Sequence, residues 1–91
     1  MATKKVLFYT DFSNVDEVFD KMLEQKFFVN EAHRDEAKTK IQSTHETWYS
    51  NGVVEVKIFR GLFGSYELRN YRGMKHKDID ELFAVAAKPK L

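Results

Sequence analysis

The chain contains no cysteine, a single proline and only four glycines in 91 residues. The lack of cysteine excludes disulfides and thiolate metal sites, and it fits a reducing compartment. No apolar run approaches the roughly 18 residues that a membrane-spanning helix needs. The apolar residues near the N-terminus are also too few for the core of a secretion signal. We therefore expect a cytoplasmic protein that does not associate with membranes.

An excess of charge of one sign is also missing. The formal net charge is +1 although 32% of the residues are charged, so the overall charge favours neither a nucleic-acid binder nor an acidic mimic of nucleic acid. With 43% hydrophobic residues, a chain of this length can close one small core but not two. We therefore predict a single domain over residues 1–91.

Residues 42–72 have the pattern of three consecutive antiparallel strands, and the rest of the chain is organised around them. Asn51 and Gly52 are the residue pair preferred in two-residue type I′ turns. Gly61 and Gly64 bracket the second turn as a three-residue loop, in which Gly64 is free to adopt a positive φ. The pattern predicts a three-stranded meander.

The two predicted turns fix a register. The first sets Glu46 opposite Lys57; the second sets Lys57 opposite Glu67 and Glu55 opposite Arg69. Both hairpins agree on which side chains share the apolar face: His45, Thr47, Tyr49, Val54, Val56, Ile58, Tyr66 and Leu68. The other face carries Glu46, Trp48, Glu55, Lys57 and Phe59.

Two amphipathic helices flank the meander. The first is predicted to begin at Ser13, with Asp16 completing a capping box, and the last at Asp78, ending before Pro89. Each has one apolar stripe, formed by Val15, Val18, Phe19, Met22 and Leu23 in the first and by Ile79, Leu82, Phe83 and Ala86 in the last.

The remaining segments are short. Residues 6–10 suit a buried strand that adds to the sheet, and Phe27, Phe28 and Val29 suit an apolar clasp after the first helix. Residues 30–40 fit either a short exposed helix capped by Asn30 or an extended arm. The prediction is a two-layer α+β domain, in which an antiparallel three-stranded meander plus a short N-terminal strand packs against two helices.

Charge is unevenly distributed along the chain. Residues 11–36 sum to −5 and residues 57–77 to +5. Basic residues among aromatic ones are typical of surfaces that bind single-stranded nucleic acid. Cross-strand acids cancel the cations on the strands, which leaves one cation at a turn and a cluster before the last helix. We predict contact with nucleic acid, RNA favoured, at Arg60, Arg72, Lys75, His76 and Lys77.

The order of helix, three-strand meander and helix resembles that of the double-stranded RNA-binding domain, over about residues 15–87. Lysines of that family cluster at the start of its last helix, where this chain has Lys75, His76 and Lys77. The resemblance implies contact with RNA there. LFYTDFS and RGLFGSY are also similar to the two motifs of an RNA-recognition motif, although the second is out of phase by one residue. Both resemblances concern order and motif, and neither establishes membership.

A protein-binding surface is the alternative. Trp48, Phe59 and Tyr71 project from the outer sheet face without an obvious cover, and Leu62 and Phe63 form the tip of the second turn. Exposed aromatics rimmed by charges are typical of protein interfaces. These residues predict an inhibitor or adaptor, or a homo-oligomer formed through this face. In the alternative without a partner, residues 30–40 cover these aromatic side chains.

Catalysis has the weakest support. His33, His45 and His76 are scattered and show no metal-ligand spacing, so we predict no metal and no cofactor. A small ribonuclease that uses His76, Arg72 and Tyr71 is physically possible, but nothing in the sequence requires it. We therefore predict a non-enzymatic protein that binds nucleic acid or, alternatively, another protein.

Overall fold

The computed structural model describes residues 8–70 and 75–88. No helix in these two ranges is long and apolar enough to cross a membrane. Within them the chain forms, in order, β1 (Phe8–Phe12), α1 (Val15–Glu24), α2 (Glu31–Ser43), β2 (Glu46–Ser50), β3 (Glu55–Arg60), β4 (Tyr66–Asn70) and α3 (Lys77–Ala86).

The described strands form one antiparallel sheet in the order β1-β4-β3-β2. The meander of β2, β3 and β4 is present, and β1 adds to it beside β4. The predicted α+β class is therefore confirmed, with a third helix, α2, where the sequence left two possibilities open. β1 extends two residues beyond its predicted end at residue 10, because Asp11 and Phe12 still pair with β4. Residues 6 and 7 of the predicted strand lie outside the described residues.

One face of the sheet, called the inner face, packs against the helices. Side chains along β3 and β4 alternate between buried and half-buried, as expected when a single face is covered. The predicted stripes of α1 and α3 point to this face. The shared core consists of Phe12, Val18, Phe19, Met22, Phe27, Phe28, Ala37, Ile41, Val54, Val56, Ile58, Tyr66, Leu68, Ile79, Leu82 and Ala86.

The first hairpin turns one residue later than predicted. The Asn51 amide donates to the Val54 carbonyl (3.3 Å), so Gly52 occupies the first central position of the turn with φ +89°. Positive φ at that position is typical of type II′ turns, which favour glycine there. Tyr49 consequently pairs with Val56 and not with Val54. A shift of two residues leaves the side chains of β2 and β3 on their predicted faces.

The second hairpin shows the same displacement. The Gly61 amide donates to the Ser65 carbonyl (2.8 Å), and Ile58 pairs with Leu68, two residues beyond its predicted partner. Gly64 does adopt a positive φ, of +76°. Within the strands the predicted faces are therefore correct in both hairpins, and the predicted residue pairs are wrong. His45, which was predicted on the apolar face, lies before β2 and packs against Phe59 of the other face.

The start of α1 differs from the prediction. Asn14, not Ser13, is the N-cap, and its side chain makes no capping hydrogen bond. The Asn14 side-chain nitrogen Nδ2 instead donates to the Val85 backbone carbonyl (2.9 Å). The predicted capping box is therefore wrong, because the residue at the cap position ties the start of α1 to the end of α3.

The end of α1 is a Schellman motif. The Lys26 amide donates to the Leu23 carbonyl (3.1 Å), and the Phe27 amide donates to the Met22 carbonyl (2.9 Å). Lys26 takes the left-handed conformation (φ 70°) that glycine usually adopts in this motif. The reversal turns Phe27 into the core, where it is buried.

Residues 31–40 belong to α2 and Asn30 is its N-cap, so the helical alternative is the correct one. The Asn30 side-chain oxygen accepts a hydrogen bond from the His33 amide (2.9 Å) and caps the helix, as that alternative required. Only Ala37 and Ile41 of α2 are buried. Sparse burial explains why no clear period was visible in this segment.

Ion pairs join α2 to α1. The Arg34 guanidinium lies 2.8 Å from the Asp20 carboxylate, and the Lys38 ammonium lies 2.9 Å from that of Asp16. The hydrogen bond from Lys38 holds the pKa of the Asp16 carboxyl below its usual value. Val29, which was predicted to join the apolar clasp, is instead 87% exposed. It lies just before α2, where its amide donates to the His33 imidazole.

The start of α3 also differs from the prediction. His76 is the N-cap, and its Nδ1 accepts a hydrogen bond from the Asp78 amide (3.1 Å). Asp78, which was predicted as the cap, lies in the first turn, and its carboxylate accepts a hydrogen bond from Asn51. The predicted stop at Pro89 lies outside the described residues.

Three parts of the fold meet at the side chain of Asn51. Its oxygen accepts hydrogen bonds from the Val53 and Val54 amides (2.9 and 3.0 Å). Its nitrogen donates to the Gln25 carbonyl and to the Asp78 carboxylate, both at 2.9 Å. The end of α1, the β2–β3 turn and the start of α3 are thus joined by one amide group, whose hydrogen-bonding capacity is fully used.

Replacing Asn51 by Ala should destabilise the fold strongly. The substitution removes four hydrogen bonds and leaves part-buried partners unsatisfied, so we expect a loss of about 2–4 kcal/mol in the free energy of unfolding. Asn30→Ala is the matched control: it removes one exposed capping bond and should cost about 1 kcal/mol. Urea denaturation measures both. Equal losses in the two variants would show that the Asn51 junction is unimportant.

The Tyr49 ring packs edge-on against Phe19 and Phe28 on the inner face. Burial raises the pKa of its phenol to about 12. The nearby Thr47 hydroxyl opposes this rise, although among the described residues neither hydroxyl oxygen reaches a hydrogen-bond partner. The folded state therefore retains the Tyr49 proton at a pH at which the unfolded chain loses it.

Stability should consequently fall in alkaline solution because of Tyr49. The contribution is fully present below the ordinary pKa of 10.0 and is lost as the pH rises towards about 12. Tyr49→Phe has no such proton, so its melting temperature should stay above that of the wild type by a margin that grows over this range. Thermal melts at matched pH values test this prediction. Parallel curves for the two proteins would contradict it.

Candidate functional site

The outer face of the sheet, opposite the helices, carries a row of four side chains across all four described strands. Arg69 of β4 is the register partner of Tyr9 on β1 and of Lys57 on β3. Lys57 is in turn the partner of Trp48 on β2. Tyr9 and Trp48 are 66% and 43% exposed. The row therefore has an aromatic ring at each edge and two cations between them.

Phe59 lies beside this row and contacts both cations. The Arg69 guanidinium carbon is 4.0 Å from the centre of the Phe59 ring, and the Lys57 ammonium is 5.0 Å from it. The same ammonium is 4.8 Å from the centre of the Trp48 ring. Cation–π contacts contribute roughly 0.5–1 kcal/mol each at exposed sites. They help to hold two like charges next to each other on adjacent strands.

Acidic side chains complete this arrangement. The Lys57 ammonium lies 3.0 Å from the Glu46 carboxylate, and Arg69 is ion-paired with Glu67 on its own strand. The predicted cross-strand pairs were wrong in register, since Lys57 faces neither Glu46 nor Glu67 directly and Glu55 does not face Arg69. The Lys57–Glu46 contact survives as a diagonal one.

Carboxylates outnumber cations on the outer face of the described sheet. Phosphate-binding surfaces show the opposite balance, because cations must replace the counterions of the nucleic acid. The acidic side chains on this face are Asp11, Glu46, Glu55 and Glu67, and the basic ones are Lys57 and Arg69.

The β3–β4 turn carries two large apolar side chains that do not join the core. Leu62 is 76% exposed and Phe63 is fully exposed. The Leu62 carbonyl accepts hydrogen bonds from the Ser65 hydroxyl and amide (2.6 and 3.1 Å), which close the turn. Phe63 adopts φ +56°, a conformation that is costly for a bulky residue. Neither packing nor backbone preference accounts for an aromatic ring at this position.

The predicted basic cluster is only partly described. Lys75 and Lys77 are exposed at the start of α3, and within the described ranges neither makes an ion pair. His76 is half-buried as the helix cap. Asp78 and Asp80 lie in the same first turn, so the positive charge there is diluted.

The structure separates Arg60 from that cluster. Arg60 ends β3, whereas α3 begins beside Asn51, at the opposite end of β3. A strand of this length spans about 20 Å. Arg72, the remaining predicted nucleic-acid contact, lies outside the described residues, as does Tyr71 of the predicted protein-binding set. Binding of nucleic acid by these residues stays a prediction.

The histidines do not converge on a reactive centre. The His33 imidazole accepts a hydrogen bond from the Val29 amide, His45 packs edge-on against Phe59, and His76 caps α3. In residues 8–70 and 75–88 no three His, Cys, Asp or Glu side chains are placed to hold a metal ion.

Two residues of the outer face were missed by the sequence reasoning. Tyr9 was assigned to a buried strand, and Arg69 was treated as neutralised by Glu55. The alternation of side chains along β1 would have placed Tyr9 on the outer face if its pairing with β4 had been known. The sequence carries no signal for which edge of the sheet β1 joins.

Phe63→Gly should leave the protein as stable as the wild type or make it more stable. Glycine adopts φ +56° without the steric cost of a side chain, and the substitution removes no buried surface, so we expect a gain of about 0.5–1 kcal/mol. Phe63→Ala is the control, because it removes the ring but keeps the strained conformation, and it should show no gain. Denaturant midpoints distinguish the two. A large loss in the glycine variant would mean that the ring contributes to folding.

Comparisons with protein-family models, with curated proteins and with solved structures found no match to this chain. The chemistry of the outer face and of the β3–β4 turn is therefore the basis for assigning a function.

Proposed function

We propose that this protein is a non-enzymatic protein-binding module, an inhibitor or adaptor, that contacts its partner through the outer sheet face. The observation that carries the proposal is the row from Tyr9 through Arg69 and Lys57 to Trp48. No helix covers this row in the described part of the chain, because α1, α2 and α3 pack on the inner face. Tyrosine, tryptophan and arginine are the residue types most enriched at the energetic centres of protein interfaces.

The internal contacts of the outer face support this proposal. Lys57 is held by Glu46 and by the rings of Trp48 and Phe59, and Arg69 is held by Glu67 and Phe59. Side chains fixed in this way lose little conformational entropy when a partner binds. A surface with mixed charges and rigid rings suits a folded protein surface of complementary charge.

The excess of carboxylates disfavours nucleic acid as the ligand of this face. A second copy of the chain is a less suitable partner for the same reason, since it would bring a second excess of carboxylates into the interface. We retain the cytoplasm as the expected compartment, because the chain has no cysteine.

Binding of RNA at the start of α3 is the second candidate function. Lys75 and Lys77 are exposed and make no ion pair within the described residues. The neighbouring carboxylates of Asp78 and Asp80 weaken this candidate relative to the first.

Trp48→Ala should abolish capture of the partner. Affinity purification of the tagged protein from its source cells should recover a partner protein, and nuclease treatment of the lysate should not reduce that recovery. Truncation of a tryptophan that anchors an interface typically costs at least 2 kcal/mol, or roughly 30-fold in affinity. Val29→Ala is the matched control, because Val29 is an exposed apolar side chain on the helical side, and its loss should leave capture unchanged. Both variants should keep the wild-type circular dichroism spectrum.

Two results would contradict this prediction. Capture that is equal for wild type and Trp48→Ala would remove the outer face from the interface. Capture that depends on nucleic acid and is lost in Lys75→Glu/Lys77→Glu would favour the second candidate.

A further inference from the structure

An open cleft lies at the end of the sheet that is farthest from Asn51. It has a volume of about 670 Å³ and is bounded by the end of α2, the residue before β2 and the β3–β4 turn. This volume falls within the range of about 300–1,000 Å³ that is typical of sites for small ligands or inserted side chains. The side chains that determine its chemistry are Gln42, His45, Arg60, Leu62, Phe63 and Tyr66.

The polar side of the cleft is basic. Arg60 is exposed, and one of its terminal nitrogens donates to the Gln42 carbonyl (3.0 Å), at the end of α2. That contact fixes the position of the guanidinium and leaves its other N–H groups for a ligand. His45 also borders the cleft, although its ring packs edge-on against Phe59. Of the described residues that line the cleft, none carries a carboxylate. A carboxylate ligand therefore meets a guanidinium that can bind it with two parallel hydrogen bonds, without an acidic neighbour to repel it.

The other side of the cleft is apolar. Leu62 and Phe63 are exposed at its rim. The buried Tyr66 ring forms part of its wall and is stacked on Phe12, with 5.5 Å between the ring centres. The exposed Phe63 ring is kept in a strained backbone conformation although it adds nothing to the core. Strained residues that packing does not require are characteristic of binding sites.

We infer that this cleft binds an acidic segment of a partner protein, in which a carboxylate is held by Arg60 and an adjacent large apolar side chain packs on Leu62 and Phe63. The inference rests on the proposed function, because it supplies the chemistry of the partner, but it concerns a different surface from the row through Trp48. A nucleic-acid ligand fits the cleft less well. Successive phosphates require several cations, whereas among the described residues that line the cleft Arg60 is the only lysine or arginine.

Selection from a displayed library of random peptides on the full-length protein tests the inference. The enriched peptides should carry aspartate or glutamate next to leucine, phenylalanine or another large apolar residue. A synthetic peptide of the enriched sequence should shift the amide NMR signals of Gly61, Phe63 and Gly64. Replacing its acids by the corresponding amides should weaken binding by about tenfold or more, because a charge-assisted hydrogen-bond pair is lost.

Variants of the protein separate binding from folding. Arg60→Gln should weaken the same peptide by about tenfold or more, whereas Lys88→Gln, which removes an exposed cation beside Glu17, should not. Phe63→Gly should also weaken it while keeping at least wild-type stability. Loss of binding in this variant therefore cannot be attributed to unfolding, even if Arg60→Gln folds poorly. Trp48→Ala should bind the peptide normally.

The inference is overturned if no acidic peptide is enriched, if the amide version binds equally well, or if Arg60→Gln and Phe63→Gly bind as the wild type does. A single-stranded oligonucleotide that shifts the same amides more strongly than the peptide would also overturn it. Failure of the peptide, together with partner capture that still requires Trp48, would contradict the cleft inference and leave the proposed function intact. If the peptide binds but partner capture is equal in wild type and Trp48→Ala, the proposed function is contradicted and the cleft inference stands.

Discussion

The four hydrogen bonds of the Asn51 side chain are the constraint on which the rest of the fold depends. They join the end of α1, the β2–β3 turn and the start of α3 through a single amide. The Gln25 side chain reinforces this junction by donating to the Asp78 carbonyl (2.8 Å). The Gln25 backbone carbonyl, which follows the last turn of α1, and the two amides of the β2–β3 turn acquire partners here. The helices are thereby held on one face of the sheet, and within the described residues no helix covers the other face.

In the described part of the chain the outer face has no helix on it, because all three helices pack on the inner face. A four-stranded sheet needs one buried face for stability, and α1, α2 and α3 supply that cover. The outer face is then stabilised locally, by contacts of Phe59 and Trp48 with Lys57 and of Phe59 with Arg69. These contacts make the face rigid and solvent-compatible while keeping large rings accessible at its edges. The same rigidity makes it suitable for recognising a folded partner.

The sequence predicted the elements and the faces better than the pairs. Both turns were placed one residue early, yet a two-residue shift of partner preserves the alternation, so Trp48 and Phe59 were correctly assigned to the outer face. Turn centres depend on tertiary contacts such as those of Asn51, which no local pattern reveals. The helix caps also differ from the expected ones. Asn14 is bound to Val85 at the far end of the chain, and His76 accepts a hydrogen bond from the nearby Asp78 amide. The role of Tyr9 required knowing that β1 lies beside β4, a choice made by packing.

Hydrogen–deuterium exchange of the protein, alone and with its purified partner, tests the central claim most directly, because it maps the contact without mutation. A partner on the outer face should slow exchange in β2 and β3 at backbone groups next to Trp48 and Phe59, and the β3–β4 turn should be protected if its cleft is also occupied. The start of α3, at Lys75 to Lys77, should exchange as in the free protein. Protection confined to the start of α3, with none on the sheet, would contradict the account.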